Sequence, residues 1–209
     1  MNIQTNNSLN TCNKASFGAT ILDNVTLRKK TLSGYKTVEG FVSQLTKDDA
    51  ADIARLQGIK ENWRKSTIYS NEIIDNFCQN LKKKNFYITE LKDNCVRIKN
   101  RICCMMQTTD PTVNQMRDKF RIDLLQSAPA IANKGSSSKI KGAGELAVYE
   151  AVKVAKKEGY QKVDLYSTNN SFYQKIGFEK NPKSNFFSLD KSQYDKFLSR
   201  IEQKYNIQK

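Results

Sequence analysis

The chain has 209 residues, a length that suits one α/β domain of ordinary size. Its 35 Lys and Arg residues against 21 Asp and Glu residues give a formal net charge of +14, which favours an anionic ligand or partner. The lack of histidine excludes Ser–His and Cys–His hydrolases. No apolar run approaches the roughly 20 residues of a membrane span, so a cytoplasmic protein without a membrane partner is predicted.

Residues 1–34 are rich in Asn, Ser and Thr and contain few large apolar side chains. This composition predicts a flexible tail, with residues 19–27 as a short ordered piece. The alternative is a polar export signal of the kind found on bacterial effectors, which would place the protein in the cytosol of a host cell. The folded domain is predicted to span residues 35–209.

Helix and strand signals alternate from residue 35 to residue 127. A strand is predicted at 41–45, followed by a helix that Thr46 caps and Gly58 ends. A second helix begins near Ser70 and places apolar side chains on one face. Three strands follow at 86–91, 96–107 and 120–127, the first two joined as a hairpin by residues 92–94.

The second half of the chain begins with a loop at 130–139. A helix at 142–158 follows and ends at Gly159, and a strand at 162–166 and a short helix at 171–176 come next. Closing strands are predicted at Phe178 and at 186–189. An amphipathic helix at 190–205 starts with a capping-box pattern, Asp190 and Gln193. This order predicts a mixed sheet with helices on its faces.

The helix at 142–158 opens on the sequence Lys-Ile-Lys-Gly-Ala-Gly, residues 139–144. Glycines allow close approach of the backbone to a ligand, and a helix N-terminus presents unpaired N–H groups to an anion. Lys139 and Lys141 add charge suited to a diphosphate. The loop lacks the GK[ST] ending of a nucleotide-binding P-loop. By itself the pattern also fits a plain junction between a loop and a helix.

Three segments resemble motifs of the GCN5-related N-acetyltransferase superfamily, in the family's order. Residues 139–144 resemble its [Q/R]xxGx[G/A] acyl-CoA motif, with Lys139 in place of Gln or Arg. Residues 172–178, FYQKIGF, resemble its FYxKxGF block, and residues 125–129 resemble the end of its fourth strand. The resemblance implies an α/β fold with a mixed, mostly antiparallel twisted sheet flanked by helices. The C-terminal helix is an addition that covers the sheet or joins two subunits as a homodimer.

The resemblance also implies an acetyl-CoA site without a metal. The pantetheine arm would pair with the backbone of Leu125 and Ser127, and Asn170 and Lys175 are further candidates near the coenzyme. The diphosphate would rest on the loop formed by Lys139, Ile140, Lys141, Gly142, Ala143 and Gly144. The five cysteines are read as reduced, buried thiols, because they form no CxxC pair and the chain lacks histidine.

Tyr173 matches the family tyrosine that protonates the departing thiolate. The position of the family's usual glutamate base is occupied here by Arg121. Asp123 lies two residues further on the same side of the strand and is the candidate base; a surface aspartate is an equal alternative, and water held by the backbone could replace it.

The sequence therefore predicts acetyl transfer from acetyl-CoA to a primary amine. The acceptor stays open among a protein lysine or N-terminus, including one of a host protein, a small amine and an aminoacyl-tRNA. The alternative is a module that binds coenzyme A or nucleic acid on the same fold without turnover.

Overall fold

The structure, a computed structural model, describes residues 18–64, 68–92, 101–113, 118–129, 139–167 and 169–207. The strands are β1 (Thr20–Thr31), β2 (Gly34–Gln44), β3 (Lys84–Leu91), β4 (Ile102–Thr109), β5 (Lys119–Ser127), β6 (Ile140–Lys141), β7 (Lys162–Tyr166), β8 (Glu179–Lys180) and β9 (Phe186–Asp190). The helices are α1 (Ala50–Arg64), α2 (Ile68–Cys78), α3 (Ala143–Lys157), α4 (Asn170–Lys175) and α5 (Tyr194–Tyr205).

The described strands form one sheet in the order β6-β1-β2-β3-β4-β5-β7-β9-β8. All neighbours are antiparallel except β5 and β7, which run parallel. The predicted mixed, mostly antiparallel sheet is therefore confirmed. Because a parallel pair needs a crossover, α3 connects β5 and β7 over one face of the sheet.

Helices cover both faces of the sheet, and β3 shows how its strands serve both. Phe86 and Ile88 pack into a cluster with α1 and α2, while Tyr87 and Leu91 pack into a cluster with α3 and α5. Successive side chains of a strand point to opposite faces, so a central strand between two helical layers is buried on both faces, as β3 is from Phe86 to Leu91. Helix α5 packs against α3 and β1 of its own chain, the first of the two arrangements predicted for it.

The sheet starts earlier than the sequence analysis predicted. Residues 20–34, assigned there to a flexible tail, form β1 and its turn into β2. Val25 and Leu27 are 3% and 0% exposed, whereas several of their strand neighbours are polar and exposed. A strand with one buried face needs few apolar residues, which is why the composition was misleading. The rest of the predicted tail, residues 1–17, lies outside the described residues.

Two predicted helix boundaries were wrong. Gly58 does not end α1, which continues to Arg64 because Trp63 is fully buried and stabilises the last turns. The helix begins after Asp49, whose carboxylate accepts a hydrogen bond from the Asp52 amide at 2.8 Å, rather than after Thr46.

The predicted capping box at the start of the C-terminal helix was also wrong. Residues Lys191–Gln193 form a 3-10 turn, and α5 begins at Tyr194 without a side-chain cap. The predicted hairpin residues 93–94 and the predicted loop 130–138 lie outside the described residues. Among the helices that the structure describes, none has the length and apolar character to cross a membrane.

Candidate functional site

Strands β5 and β7 separate partway along their length. They pair only over residues 119–122 of β5, although β5 continues to Ser127. Ile122 and Leu124 lie opposite adjacent residues of β4, so Asp123 is the extra residue of a bulge at the point of separation. A bulge bends its strand and increases the local twist. The two parallel strands therefore diverge and open a cleft between them.

The cleft has a volume of about 1120 Å³, slightly above the roughly 300–1,000 Å³ common for ligand pockets. Its walls come from β1, β5, β6, β7 and β9, the first turn of α3, helix α4 and the end of α5. Ten of the residues that the sequence analysis proposed line it: Asp123, Leu125, Ser127, Ile140, Lys141, Gly142, Ala143, Gly144, Tyr173 and Lys175. Residues far apart in the sequence thus meet in one cleft.

Two proposed residues do not line this cleft. The Lys139 carbonyl accepts a hydrogen bond from the Lys30 amide at 2.8 Å, which extends the pairing between β1 and β6. Asn170 is the first residue of α4, and its side-chain oxygen is buried without a hydrogen-bond partner in the described structure. Its neighbour Asn169 lines the cleft instead, because the helical turn directs the two side chains differently.

The N-terminus of α3 opens toward the cleft. The Leu146 amide donates to the Gly142 carbonyl at 2.9 Å, so the N–H groups of residues 143–145 precede the first bond within the helix. Gly142 has a φ of 104°, a left-handed conformation that favours glycine. A Cβ at Gly144 would lie 3.4 Å from Phe172. N–H groups in this arrangement at a helix start can bind an anion.

Positive charge dominates the lining of the cleft. Its acidic side chains are Glu145 and Asp123, and both already have partners. Glu145 accepts hydrogen bonds from Lys204 Nζ at 2.6 Å and from the Tyr205 hydroxyl at 2.7 Å. Asp123 forms an ion pair with Lys84 at 2.9 Å and a longer one with Arg121 at 3.8 Å. The basic side chains of the lining are Arg28, Arg121, Lys141, Lys175 and Lys204.

Tyr173 lies on α4, lines the cleft and is 6% exposed. Its ring is held by aromatic neighbours, with centroid distances of 4.9 Å to Phe172, 5.5 Å to Phe187 and 6.0 Å to Phe178. Burial raises the pKa of the Tyr173 phenol above its ordinary value, and the nearby Cys104 raises it further. The phenol is therefore protonated at neutral pH and acts as a hydrogen-bond donor.

Cys104 is a residue of this site that sequence reasoning missed. It is fully buried and lies opposite Ser127 in the pairing of β4 with β5. Burial raises the pKa of the Cys104 thiol, so the thiol is neutral. Cys103 and Cys104 are free and buried, as predicted for the thiols, whereas Cys78 is free but only half-buried. Cys12 and Cys95 lie outside the described residues. The register of β4 with β5 brings Cys104 opposite Ser127, and the packing of α4 on the sheet brings Tyr173 near it; no sequence motif signals either contact.

Two exposed aromatic rings mark the end of the cleft beside β7 and β9. Tyr166 and Phe186 are 56% and 38% exposed, and their rings meet edge to face at 5.5 Å. The guanidinium of Arg121 lies 5.8 Å from the centre of the Phe186 ring. Nearby, Thr109 donates a hydrogen bond to the Asp123 carboxylate at 3.2 Å. The carboxylate at this end is thus engaged, while aromatic and cationic groups are accessible.

Within the described ranges, no three His, Cys, Asp or Glu side chains gather into a group that could hold a metal ion. Besides its charged residues, the lining of the cleft contains aliphatic side chains (Leu124, Leu125, Ile140), amide side chains (Gln126, Asn169), hydroxyl groups and aromatic rings.

No protein-family model matches the sequence, and a comparison with curated protein sequences finds no significant match. Solved structures match instead. AtaTR bound with AcCoA is 12% identical, with a TM-score of 0.50, over 75% of this chain and 96% of that chain. Tetrahymena GCN5 is 11% identical, with a TM-score of 0.46, over 70% and 93%. An acetyltransferase of the GNAT family from Listeria monocytogenes is 13% identical, with a TM-score of 0.45, over 73% and 95%.

At such low identity the likeness concerns the fold alone. The chain has the fold of the GCN5-related N-acetyltransferases.

Proposed function

We propose that the protein is an N-acetyltransferase that moves an acetyl group from acetyl-CoA to a primary amine. One observation carries this proposal: the diverging part of β5, the glycine-opened end of α3 and Tyr173 line the same cleft. A strand edge, a helix N-terminus and a buried phenol offer complementary contacts for an amide arm, a diphosphate and a thioester sulfur. A solved protein that shares the fold is bound with AcCoA.

The donor binds as an extended chain in this proposal. The pantetheine amides pair with β5 at Leu125 and Ser127, and the diphosphate accepts hydrogen bonds from the N–H groups of residues 143–145. The Gln126 side chain donates to the Ser127 carbonyl at 3.0 Å. A coenzyme amide that donates to this carbonyl shares it with Gln126, since a carbonyl oxygen has two lone pairs.

The acceptor amine attacks the carbonyl carbon of the thioester, and the C–S bond then breaks to release the thiolate. A thiol has a pKa of about 8.5, whereas burial raises the pKa of the Tyr173 phenol above its ordinary value. The thiolate is therefore too weak a base to remove the proton of the phenol completely. Tyr173 therefore acts by donating a hydrogen bond to the sulfur, which stabilises the charge that develops there. The amine nitrogen loses one proton as it becomes an amide. The products are therefore an amide, a thiolate and a proton, and charge is conserved.

Water removes that proton in this mechanism. Arg121 is a cation, and the Asp123 carboxylate is occupied by Lys84 and Thr109. The attacking group is a neutral amine that the cleft positions against the thioester, and such positioning provides much of the rate in a two-substrate reaction.

The end of the cleft with Arg121, Tyr166 and Phe186 receives the acceptor. A guanidinium next to two aromatic rings favours an amine carried by an anionic or planar molecule. Protein amines, small amines and aminoacyl-tRNA are the acceptor classes to compare. The replacement of a glutamate by Arg121 favours a second candidate function, a module that binds acetyl-CoA without turnover.

Thermal unfolding with acetyl-CoA tests donor binding. A ligand at 100 times its Kd stabilises the folded state by about 2.7 kcal/mol, so the melting temperature should rise. Gly142→Glu places a carboxylate at the proposed diphosphate site and should abolish the shift. The absence of any shift in the unsubstituted protein would refute the proposal.

Release of free thiol tests turnover. The protein is incubated with acetyl-CoA and, in separate reactions, with a lysine peptide, a polyamine and an aminoacyl-tRNA. Acetyltransferase activity requires acceptor-dependent thiol release in at least one reaction. Donor binding without release in any of them would support the binding module.

A further inference from the structure

The C-terminal helix reaches the end of the cleft that lies away from Tyr173. Helix α5 ends at Tyr205, whose ring lies directly against Gly142: a Cβ there would lie 2.6 Å from Tyr205 Cε1. The Tyr205 carbonyl accepts a hydrogen bond from Thr26 Oγ1 on β1 at 2.5 Å. The end of α5 is thus fixed between β1 and the start of α3.

Three cations from three separate elements line this end of the cleft. Lys204 comes from α5, Arg28 from β1 and Lys141 from β6. Arg28 and Lys141 lie over the same ring, Tyr35, at 5.5 Å and 4.2 Å from its centre. The negative π face reduces the repulsion between two adjacent cations. All three side chains are accessible to a ligand, and that of Lys204 is 45% exposed.

The surroundings of Gly142 and Gly144 show which side of the start of α3 faces Tyr173 and which side faces the cations. A Cβ at Gly144 would lie near Phe172 and Ser127, at 3.4 Å and 3.9 Å, on the side of Tyr173. Gly142 faces Tyr205 and the cations instead. Coenzyme A is a linear molecule in which the thioester, pantetheine, diphosphate and 3′-phosphorylated ribose follow one another. A thioester at Tyr173 and a diphosphate at the start of α3 therefore bring the ribose to the cations.

We infer that Lys204, Arg28 and Lys141 bind the 3′-phosphate of the coenzyme, so that α5 forms part of the donor site. This inference rests on the proposed function. A terminal phosphate carries close to two negative charges and accepts charge-assisted hydrogen bonds from Arg and Lys. Lys204 contacts Glu145 in the structure, and the phosphate competes with that carboxylate for it.

Calorimetric titration with coenzyme A and with 3′-dephospho-coenzyme A tests this assignment. Lys204→Gln and Arg28→Gln should each weaken binding of coenzyme A by about tenfold, the effect of one lost charge-assisted hydrogen bond. Binding of the dephospho compound should change by no more than about twofold, because it lacks the group they contact. Lys196→Gln, an exposed lysine of the same helix outside the cleft, should change neither affinity.

Glu145→Gln supplies a test of opposite sign. It removes the competing negative charge and still accepts the hydrogen bond from Tyr205, so coenzyme A should bind a few times more tightly. If a Lys204 or Arg28 variant loses affinity equally for both compounds, the cations contact the diphosphate and the inference is wrong. Unchanged affinities for both compounds would also overturn it. Failure of the unsubstituted protein to bind either compound would instead refute the proposed function. Melting temperatures of the variants identify any that fail to fold.

Discussion

The two ends of the cleft differ in how they are made. At the end near Gly142, backbone N–H groups of α3 are surrounded by cations from β1, β6 and α5. At the end near Asp123, exposed aromatic rings and Arg121 border the divergence of β5 from β7. The first end contains the backbone N–H groups of a helix start, which a short sequence motif can encode. The second end is formed by side chains, so the ligand that fits it depends on the identity of those side chains.

At both ends of the cleft the acidic side chain is paired with a lysine. Glu145 is paired with Lys204 and Asp123 with Lys84, so neither carboxylate leaves the cleft negatively charged. We therefore expect substitutions near Gly142 to change the affinity for the donor and substitutions near Asp123 to change the affinity for the acceptor. Substitution of Tyr173 should change the rate of the chemical step.

The largest effect is expected for Tyr173→Phe. Loss of one hydrogen bond to a developing negative charge lowers kcat by about 10²–10³-fold in comparable sites. Affinity for acetyl-CoA should stay within about twofold, since the Phe ring keeps the contacts with Phe172, Phe178 and Phe187. Steady-state rates and calorimetry measure the two quantities. Tyr160→Phe, which removes a hydroxyl outside the cleft, is the control, and similar rates for both variants would contradict the role of Tyr173.

The next effect is expected for Gly142→Ala. The new methyl group meets the Tyr205 ring and the residue keeps a φ of 104°, so we expect a loss of about 1–3 kcal/mol in the free energy of unfolding. Donor affinity should fall too, because the end of α5 is displaced. Gly159→Ala has the same conformational problem at φ 79° without a contact, so the difference between the variants isolates Tyr205. Equal denaturation midpoints and equal donor affinities would show that the contact is unimportant.

The pH dependence of kcat/KM should reflect the acceptor alone. Below the pKa of the acceptor amine, the rate should rise by about tenfold per pH unit as the neutral amine forms. Tyr173 should add no descending limb up to about pH 9.5, because burial raises the pKa of the phenol and the donating form persists. Rates measured across this range with one fixed acceptor test the expectation. A fall that begins near pH 8 would require a different donor.

The smallest effect is expected for Asp123→Asn. If Lys84 and Thr109 already occupy the carboxylate, kcat should change by no more than about threefold, and the loss of a partly exposed ion pair should cost less than about 1 kcal/mol of stability. Lys84→Gln, which removes the nearer of its two ion-pair partners, should behave alike. A fall in kcat beyond tenfold for Asp123→Asn alone would instead make Asp123 the base.

The fold could be predicted from the sequence to a large extent because its signals are local. The helix from Ala143 to Lys157, its end at Gly159 and strand β7 follow from apolar spacing and glycine positions. The start of the sheet could not be predicted, since β1 buries Val25 and Leu27 but is otherwise polar. The length of α1 could not be predicted either, because burial of Trp63 outweighs the presence of Gly58.

By itself the sequence determined the residues whose role depends on nearby neighbours: Gly142 and Gly144 at a helix start, and Tyr173 within an aromatic segment. The tertiary structure decided which distant residues join them. Register brings Cys104 beside Ser127, and the bulge at Asp123 opens the cleft between two parallel strands. Packing of α5 across the chain places Tyr205 against Gly142, about sixty positions away. Local patterns encode helix ends and turns, whereas contacts between remote segments depend on burial across the whole core.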